Sequence, residues 1–575
     1  MSRPLPTLAQ LRLRDNQLFL ALSIIVGILA GLAAVLFSLS IDRATRELFG
    51  LEPSAARLFL VPAGVSLVTG MLLAWVFPEV RGSGIPQTEA AYHLNGGRIP
   101  GRVAIGKFIT GVLCVGSGHS MGREGPSVQI GAALASTVGR WVGVTPDRVK
   151  ALVPVGAAGA LSAAFNTPVA AVLFSIEEII GSMSAPVIGS AVVASVASVV
   201  VERSILGNEP LFHVPEYQLV HPAELAAYAA LGVVGGVVSI VFCRALLAAR
   251  AGFRQLPART RVLQPAMGGV IIGLILLVRP EVMGVGYEYV DQALNGNMVL
   301  RGLVLLCLVK MVATIVSYAS GNAGGIFAPT LFLGAMAGGA VGSVVHAVAP
   351  FPTASPGAYA LVGMGTLFAG IIRAPMTSVF MVFEITQDYQ ILVPLMVANL
   401  LSFVISRRFQ PTPVYHALLH QDGVHLPTAG ELAPEDGVSV GDVMSPAAAL
   451  PSQMAVHSAA SRLQADGTRR ALVTADGRLL GIVSRDAVVS ALEAGKGEEG
   501  IGSLAQPPGT HLHPDHRIHL VFERWPDADG LLPVVARDDA SRLVGMITLQ
   551  DMLRFLAADS PDPVGGPASP ARSDT

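Results

Sequence analysis

Gly122-Arg123-Glu124-Gly125-Pro126 places a carboxylate on a glycine-rich turn at the start of an apolar segment. Acidic side chains inside a membrane are costly and usually face a water-filled or protein-lined path, so Glu124 is a candidate for ion or proton handling. The alternative is a carboxylate that caps the start of a helix, where negative charge is favourable. A similar turn without an acid recurs about two hundred residues later, which favours the first interpretation.

The composition is typical of a multi-pass membrane protein. Of the 575 residues, 52% are hydrophobic and 14% are charged, and the mean hydropathy is +0.59. Uncharged runs at residues 18–41 and 58–77 reach the roughly 20 residues needed to cross a hydrocarbon core. The formal net charge of −2 gives no indication of a nucleic-acid partner. The three cysteines, Cys114, Cys243 and Cys307, lie far apart in apolar stretches, which indicates buried small side chains instead of disulfides or a metal site.

Positive charge predicts the orientation of the chain. Arginines flank the membrane region near both ends, at Arg3, Arg12, Arg14, Arg81, Arg407 and Arg408. By the positive-inside bias, both termini are expected in the cytoplasm, including the N-terminal segment of residues 1–16. The first apolar run is too long for a signal-peptide core and no small-residue cleavage site follows it promptly, which predicts a retained helix. The sequence thus predicts a protein of the cell membrane.

The membrane region contains two related halves. A shift of 203 residues pairs lysines, serines, glycines and prolines, namely Lys107 with Lys310, Ser117 with Ser320, Gly118 with Gly321, Gly122 with Gly325, Pro126 with Pro329, Gly131 with Gly334 and Gly139 with Gly342. A shift of 207 residues pairs Pro168 with Pro375 and Glu177 with Glu384. These matches predict homologous repeats at about residues 56–205 and 262–410. The number of crossings between them decides between parallel and inverted repeats, and inverted repeats are commoner in transporters with broken helices.

Several apolar segments are too short to cross a membrane alone. Examples are residues 103–115 and 168–176, which predict discontinuous helices whose ends meet inside the protein. Three glycine-rich turns can each open such a helix, at residues 82–86, 122–126 and 324–329. Helix N-termini present free N–H groups and partial positive charge, so converging ones can bind a small anion and still release it. Ser83 and Tyr415 could add hydroxyl donors, although a lone tyrosine near a span end is more often an interfacial anchor.

These motifs, in this order, resemble those of the CLC family of chloride channels and chloride/proton antiporters. The resemblance covers about residues 17–422 and implies an all-α multi-pass membrane fold with two repeats of broken, tilted helices. It also implies a homodimer in a lipid bilayer, with one anion pathway in each subunit. The residues of this sequence that match the anion site of the family are Ser83, Gly84, Ile85, Ile326, Phe327 and Tyr415. Glu124 matches the external gate, whose carboxylate occupies an anion position until it is protonated.

A second acid distinguishes an antiporter from a channel. In the family, the position that matches Glu178 is the inner proton-transfer glutamate of antiporters and is commonly replaced in channels. Its presence favours exchange of chloride for protons over a passive chloride channel with the same pore. The alternative for Glu178 is a helix-end carboxylate solvated by the cytoplasm. For Glu177, which pairs with Glu384 in the repeat, a structural role is predicted.

A polar tail follows the membrane region. Residues 423–437 contain proline and glycine and are predicted to form a linker. The stretches 480–486 and 544–551 each combine a strand, a hydroxyl residue and an acid that opens a helix. They resemble a tandem pair of α/β CBS domains, at about residues 438–497 and 498–558. Residues 559–575 are rich in glycine, proline and serine and are predicted to be disordered.

The CBS resemblance raises the question of a nucleotide. In that family an adenine nucleotide is often bound, and the matching positions are Ser484, Asp486, Thr548 and Asp551. The first copy is one residue shorter between hydroxyl and acid, which argues against a ligand role for Asp486. A purely structural dimerisation module is an equally favoured alternative.

Other functional classes fit the sequence less well. A CBS-regulated divalent-cation transporter would need clustered carboxylates facing the pore, whereas the membrane region has few acids. An enzyme is disfavoured because no nucleophile pairs with a base and the 13 histidines lack metal-ligand spacing. His119, close to the Glu124 stretch, is predicted to have a hydrogen-bonded packing role. The resulting prediction is chloride/proton antiport without a required cofactor, with a passive chloride channel as the alternative.

Overall fold

The structure is a computed structural model that describes residues 8–558 with short gaps. The gaps are residues 51, 182–184, 208–210, 213, 216, 218, 388, 427–438, 517, 526–527 and 529. The chain divides into two compact units, Met1–Leu426 and Pro427–Thr575. Most of the predicted linker, the predicted disordered tail and the first seven residues of the N-terminal segment lie outside the described residues.

The first unit is helical throughout its described residues. Its first half contains α1 (Leu8–Phe49), α2 (Ala55–Met71), α3 (Ile85–Leu94), α4 (Gly101–Gly116), α5 (Glu124–Val142), α6 (Pro146–Phe165), α7 (Pro168–Phe174) and α8 (Ala185–Leu206). Its second half contains α9 (Glu224–Gln255), α10 (Gln264–Val278), α11 (Tyr287–Leu294), α12 (Leu300–Ala319), α13 (Phe327–Val348), α14 (Pro356–Ile371), α15 (Pro375–Thr386), α16 (Leu392–Phe409) and α17 (Val414–Gln421). Within the described part of the chain, eight helices are long and apolar enough to span a bilayer. The predicted multi-pass helical fold is therefore confirmed.

Prolines determine where several helices begin. Proline is the first residue of α6, α7, α14 and α15. This position suits proline because its missing N–H group would have no partner inside the helix. Asn166 follows α6 with a φ of 57°, a left-handed conformation that asparagine tolerates better than most residues. The chain is thereby broken between α6 and α7, and α7 starts as a short separate helix.

Buried lysines anchor equivalent turns in the two halves. Lys107 donates hydrogen bonds to the carbonyls of Val80 and Gly82 at 2.9 and 2.5 Å. Lys310 donates to the two equivalent carbonyls, 202 residues further along, at 3.0 and 2.8 Å. Both lysine side chains are fully buried. Each one fixes the turn that precedes a short helix, α3 in the first half and α11 in the second.

Helix crossings are also equivalent in the two halves. A Cβ atom on Gly131 in α5 would lie 2.3 Å from the carbonyl oxygen of Gly156 in α6. A Cβ atom on Gly334 in α13 would lie 2.3 Å from the carbonyl oxygen of Gly363 in α14. Only glycine permits this approach, and small residues are how membrane helices pack closely.

Two glutamates cap the starts of the short helices α7 and α15. Glu177, in the π-helical turn Ser175–Ile180 that continues α7, accepts hydrogen bonds from the amides of Met376 and Thr377 at 3.1 and 2.8 Å. Glu384, in α15, accepts hydrogen bonds from the backbone amides of Val169 and Ala170, the second and third residues of α7, at 2.9 and 2.8 Å. Each carboxylate satisfies N–H groups that have no partner inside their own helix. Glu177 thus has the structural role predicted from its pairing with Glu384.

The second unit contains small sheets packed against helices. Its strands are β1 (Ala449–Pro451), β2 (Arg470–Ala475), β3 (Arg478–Ser484), β4 (Leu531–Val535) and β5 (Leu543–Thr548). Its helices are α18 (Val440–Val443), α19 (Val456–Ala465), α20 (Arg485–Glu493), α21 (His519–Arg524) and α22 (Leu549–Ala558). Strand β2 pairs in parallel with β1 and antiparallel with β3, whereas β4 and β5 form an antiparallel pair. The strand-then-helix order recurs as β3–α20 and β5–α22, which confirms the predicted α/β architecture.

Candidate anion site

The glycine turns before α5 and α13 bond directly to each other. The amide of Gly122 donates to the carbonyl of Gly325 at 2.7 Å, and the amide of Gly325 donates back at 2.8 Å. This antiparallel bridge means that the equivalent turns run in opposite directions, as expected for inverted repeats. A Cβ atom on Gly125 would lie 3.3 Å from the Cα of Gly325 and 2.5 Å from Oγ of Ser83. The turn before α3 therefore meets the other two at one point.

Ser83 and Tyr415 both contribute hydroxyl groups to this meeting point. Both residues are fully buried, and their hydroxyl groups interact at close range. Among the described residues, neither oxygen has a hydrogen-bond partner of normal geometry. Buried hydroxyls without a partner are unfavourable, so this geometry suits a ligand that accepts from both. Full burial also excludes the alternative of Tyr415 as an interfacial anchor.

Backbone amides of the predicted site residues lie at the starts of α3 and α13. Ile85 is the first residue of α3, Phe327 is the first of α13, and Ile326 directly precedes it. N–H groups at these positions have no acceptor within their own helix. Gly84 differs, because its amide donates to Oε1 of Gln87 at 2.9 Å. The amide of Gly84 is therefore already engaged, and the assignment of Gly84 to the anion site stays a prediction.

Glu124 lies between the start of its own helix and the start of α13. Its Oε1 accepts a hydrogen bond from the hydroxyl of Tyr287 at 2.6 Å. Its Oε2 faces the backbone amide of Ala328 and has no partner of normal geometry among the described residues. The guanidinium of Arg123 lies 5.7 Å from the centroid of the Tyr287 ring. The carboxylate thus occupies the kind of position, in front of a helix N-terminus, that an anion also favours.

Tyr287 is a site residue that the sequence reasoning missed. It is the first residue of α11, just as Ile85 is the first residue of α3. A signal was present, because residues 78–84 and 280–286 share a Pro-Glu-Val start and two glycines at a shift of 202. This match would have identified a fourth glycine turn that opens a helix toward the same point.

Aromatic rings surround the start of α13. The ring of Phe327 lies 5.0 Å from that of Phe165, 5.6 Å from that of Phe174 and 4.5 Å from that of Phe368, measured between centroids. All four side chains are buried. This apolar packing holds the N-terminus of α13 in place and excludes water beside it, which strengthens electrostatic attraction to its amides.

Glu178, the predicted inner proton-transfer residue, is buried in the π-helical turn after α7. Its residue surface is 8% exposed, and its Oε1 has no partner among the described residues. The charged groups that influence it are Glu89, Glu177 and Arg373. This burial excludes the alternative of a carboxylate solvated by the cytoplasm.

A positively charged cavity of about 760 Å³ is lined in part by Gly82, the residue that precedes Ser83. Its lining also includes Tyr318. Five arginines line it, namely Arg81, Arg98, Arg250, Arg254 and Arg261. Asp422 forms salt bridges with Arg250, at 2.7 Å, and with Arg254. The remaining positive charge favours accumulation of small anions in this cavity.

His119 and the cysteines are part of the packing. His119 is fully buried, with Nε2 2.5 Å from Oγ of Ser66 and Nδ1 3.2 Å from Oγ of Ser317. All three cysteines are buried and free. Within the described ranges, no group of three or more His, Cys, Asp or Glu side chains could hold a metal ion.

The predicted nucleotide contacts of the second CBS copy are occupied within the domain. The Asp551 carboxylate accepts from the hydroxyl of Ser445 at 2.6 Å and from the amide and hydroxyl of Thr548 at 2.8 and 2.6 Å. Burial opposes ionisation of Asp551, but these hydrogen bonds outweigh it and hold its pKa below the ordinary value. Asp551 and Thr548 therefore cap α22, and their role as nucleotide contacts stays a prediction.

The first CBS copy caps its helix differently. Oγ of Ser484 accepts from the amide of Ala487 at 3.2 Å, at the start of α20. Asp486 is exposed on the first turn of that helix. The shorter spacing noted in the sequence thus removes the carboxylate from the capping position.

Comparisons with known proteins agree on the membrane unit and on the tail. The family described as voltage gated chloride channel matches residues 64–407, and the CBS domain matches residues 440–494 and 512–558. The H(+)/Cl(-) exchange transporter ClcA of Vibrio campbellii is 33% identical over 417 residues, which cover 70% of this chain and 89% of that protein. ClcA of Vibrio cholerae, strain O395, is 33% identical over 418 residues with the same coverage.

Solved structures show the same architecture. A slow cyanobacterial Cl-/H+ antiporter superposes with a TM-score of 0.65 at 27% identity, covering 70% of this chain and 97% of its own. A eukaryotic CLC transporter superposes with a TM-score of 0.62 over 93% of this chain and 97% of its own. At 20% sequence identity, this similarity supports the shared fold and nothing more.

Proposed function

The chain belongs to the CLC family of chloride channels and transporters, and on that premise we propose that it exchanges chloride for protons across a membrane. The relatives from Vibrio are named as exchangers of these two ions, and the cyanobacterial structure is of an antiporter. The single observation that carries the proposal is the position of Glu124. Its buried carboxylate stands in front of the α13 N-terminus, next to the meeting point of the glycine turns.

Chloride binds at that meeting point through hydroxyls and amides without a fixed positive charge. The donors are the hydroxyls of Ser83 and Tyr415 and the backbone amides of Ile85, Ile326 and Phe327. Partial charges of this kind hold a dehydrated anion and still let it leave. The idealised cost of burying an ion is of order 20 kcal/mol, so several donors and helix N-termini must act together.

Glu124 couples the two ions by competing with chloride. As a carboxylate it occupies a place that an anion would otherwise take, near the amide of Ala328. When a proton neutralises it, the attraction to the helix N-terminus falls and chloride takes the position. Because the carboxylate carries a proton only when chloride has displaced it, the two ions move in opposite directions.

Protons and chloride reach the site from the inner side by separate routes. Chloride passes through the arginine-lined cavity to Gly82 and Tyr318. Glu178 lies instead beside Glu89, where it receives protons and exchanges them with Glu124. Its buried, unpartnered carboxylate favours exchange over a passive channel with the same pore, which would have no need of an inner acid.

The assembly and orientation also follow from the family. The chain acts as a homodimer with one pathway per subunit, in the cell membrane, with both termini and the CBS pair in the cytoplasm. The membrane domain extends over about residues 17–422 and the CBS pair over about residues 438–558. No cofactor takes part in transport. An adenine nucleotide that binds at the CBS pair would contact Ser484, Asp486, Thr548 and Asp551, of which Thr548 and Asp551 also cap their own helix.

Reconstituted flux tests the proposal. Liposomes that contain the purified protein and a chloride gradient are followed with chloride and proton electrodes together. Exchange predicts that chloride leaving the vesicles drives protons uphill against an imposed pH gradient. A passive channel would move chloride and leave the protons at their equilibrium distribution, and this outcome would reject antiport.

A further inference from the structure

A histidine and a buried glutamate form a close pair on the inner side of the site. Nε2 of His416 lies 2.5 Å from Oε1 of Glu89. Glu89 lies in the middle of α3, and His416 directly follows Tyr415 in α17. The pair therefore connects the helix that follows the Ser83 turn with the helix that carries the other hydroxyl of the anion site.

The two members of the pair differ in their access to water. The side chain of His416 is 27% exposed, whereas that of Glu89 is 3% exposed. An imidazole gains and loses a proton near neutral pH, since its ordinary pKa is about 6.5. His416 can therefore collect a proton from the aqueous side and present it to a carboxylate that water does not reach.

Helix α3, which carries Glu89, packs against the π-helical turn that carries Glu178, and His93 of α3 bonds to the carbonyl of Ile179 in that turn at 3.0 Å. The two carboxylates influence each other electrostatically. Each keeps one buried oxygen without a partner among the described residues, Oε2 of Glu89 and Oε1 of Glu178. Two neighbouring buried carboxylate oxygens that both lack a donor are unfavourable unless the two carboxylates share a proton. The pair and Glu178 thus form a continuous line of proton-binding groups from water to the buried acid.

We infer that His416 and Glu89 form a relay that loads Glu178 with protons from the inner solution. The imidazolium of His416 gives its Nε2 proton to Oε1 of Glu89 and becomes neutral. A half-turn of the Glu89 carboxyl group about its Cγ–Cδ bond moves the proton to the other side, where Glu178 accepts it. Glu89 is then a carboxylate again. Neutral His416 keeps its Nδ1 proton, and rotation of the partly exposed ring brings the bare Nε2 to water, where it takes the next proton. The inference rests on the proposed antiport.

Other charged and titratable groups also lie around the relay, and four of the five are held by contacts of their own. They are His93 on α3, Glu177 in the π-helical turn, Lys150 on α6, Arg373 before α15 and Tyr415 on α17. His93 is bonded through Nε2 to the carbonyl of Ile179 at 3.0 Å, and Glu177 caps α15. Lys150 lies over the ring of Tyr92, and Arg373 donates to backbone carbonyls. His416 is therefore the group that hands a proton to Glu89.

The test compares His416→Gln with wild type in the full-length, reconstituted protein. Glutamine can keep a hydrogen bond to Glu89 but cannot carry a proton. His420→Gln is the matched control, because His420 is exposed on the same helix one turn later. We expect His416→Gln to lower the proton flux by roughly tenfold or more, while chloride flux continues and the chloride-to-proton ratio rises. In wild type we expect proton flux to change with inner pH near the ordinary histidine pKa of about 6.5. In His416→Gln this change in flux should disappear.

Glu89→Gln provides the second arm. It should lower the proton flux similarly, and the double variant should be no worse than the single ones, because both residues act in one line. If His416→Gln keeps the wild-type ratio and inner-pH profile, or if both fluxes fall in proportion, the pair is a structural contact and the relay is rejected. If wild type itself moves no protons, the proposed antiport fails, and that result is distinguishable from failure of the relay alone.

Discussion

The two halves of the membrane unit build the same frame but place different side chains on it. The turn at Gly122 and the turn at Gly325 are bonded to each other and occupy equivalent positions. Two residues after the glycine, the first half has Glu124 and the second half has Phe327. In the proposed mechanism the acid competes with chloride and Phe327 offers its amide to chloride, while the ring of Phe327 packs in an apolar cluster.

The same difference appears at the turns before α3 and α11. Between their two glycines, the first half has Ser83 and the second half has Val285. At the first helical position, Ile85 in the first half corresponds to Tyr287 in the second. Tyr287 points its hydroxyl at Glu124, whereas Ser83 points its hydroxyl toward Tyr415.

This comparison separates the frame from the chemistry. Where the halves agree, as at Lys107 and Lys310 or Glu177 and Glu384, the residue satisfies backbone groups. Where they differ, one half supplies a polar side chain at the candidate site, as Glu124, Ser83 and Tyr287 do, and the other half has an apolar residue. Coupled exchange requires an inner and an outer side that are chemically distinct, so a pathway between two related halves has to break their symmetry at the site itself.

The largest expected effect comes from the frame. Lys107→Met and Lys310→Met each leave two buried carbonyls without a donor, at a cost of roughly 2–5 kcal/mol. We expect both variants to lose most of their folded protein, to a similar extent. Size-exclusion chromatography after stepwise heating measures this, with the exposed Lys496→Met as the control. If one half tolerates the change and the other does not, the two lysines are not equivalent.

The next effect concerns the outer side of the site. Tyr287→Phe removes the donor to Glu124 and weakens the hold on the carboxylate by roughly 1.5 kcal/mol, or about tenfold. Chloride should then displace the carboxylate more easily, so its apparent affinity in flux assays improves. Tyr359→Phe is a matched control, because the hydroxyl of Tyr359 also donates to a buried carboxylate, that of Glu224, at a distance of 3.0 Å. This second pair does not belong to the anion site. An equal change in both variants would mean that the effect is a general loosening.

The inner hydroxyl should affect selectivity. Ser83→Pro removes the hydroxyl and moves the preference from chloride toward nitrate by roughly fivefold, the value of about 1 kcal/mol for one hydrogen bond. Relative fluxes of the two anions measure it. Ser127→Ala is the control, because its hydroxyl bonds a carbonyl in the first turn of α5 at 2.9 Å. Unchanged relative flux in Ser83→Pro would count against Ser83 as an anion ligand.

The smallest effect lies in the CBS pair, where two copies also differ on a shared frame. The pKa of Asp551 is lowered in the folded state, so it stabilises the fold above its ordinary value of about 3.9 and less as pH falls below that. At pH 7, Asp551→Asn should cost roughly 0.5–1 kcal/mol, because asparagine keeps part of the cap, and lower the hydrogen-exchange protection of α22 by roughly 2- to 5-fold. Asp486→Asn, at the exposed position of the first copy, should change little. If the two variants lose hydrogen-exchange protection to the same extent, the cap formed by the Asp551 carboxylate does not stabilise α22 as predicted.

The sequence was sufficient where glycine, proline or a repeated residue dictated the backbone. The helix starts at Glu124 and Phe327 and the equivalence of the two turns follow from such residues, whereas the expectation that Ser83 and Tyr415 lie together at the site came from the family resemblance. The bond from the Gly84 amide to Gln87, three residues later, was not predicted, because the sequence does not reveal which acceptor a turn amide will choose.

Tyr287 and the pair of His416 and Glu89 were beyond the sequence for a different reason. Tyr287 lies 163 residues from Glu124, and His416 lies 327 residues from Glu89. Contacts at this separation depend on how the two halves fold together, and a tyrosine or histidine has many roles in a helix. The repeat could indicate where Tyr287 would lie, but not what its hydroxyl would bind.

The most direct test of the central claim compares two buried acids in one flux assay. Glu124 has no acidic counterpart in the second half, whereas Glu177 corresponds to Glu384. With chloride and proton electrodes on the same liposomes, Glu124→Gln should keep chloride flux and lose proton coupling, while Glu177→Gln should keep the wild-type ratio in whatever protein folds. Persistent coupling in Glu124→Gln, or the same loss in Glu177→Gln, would contradict the account.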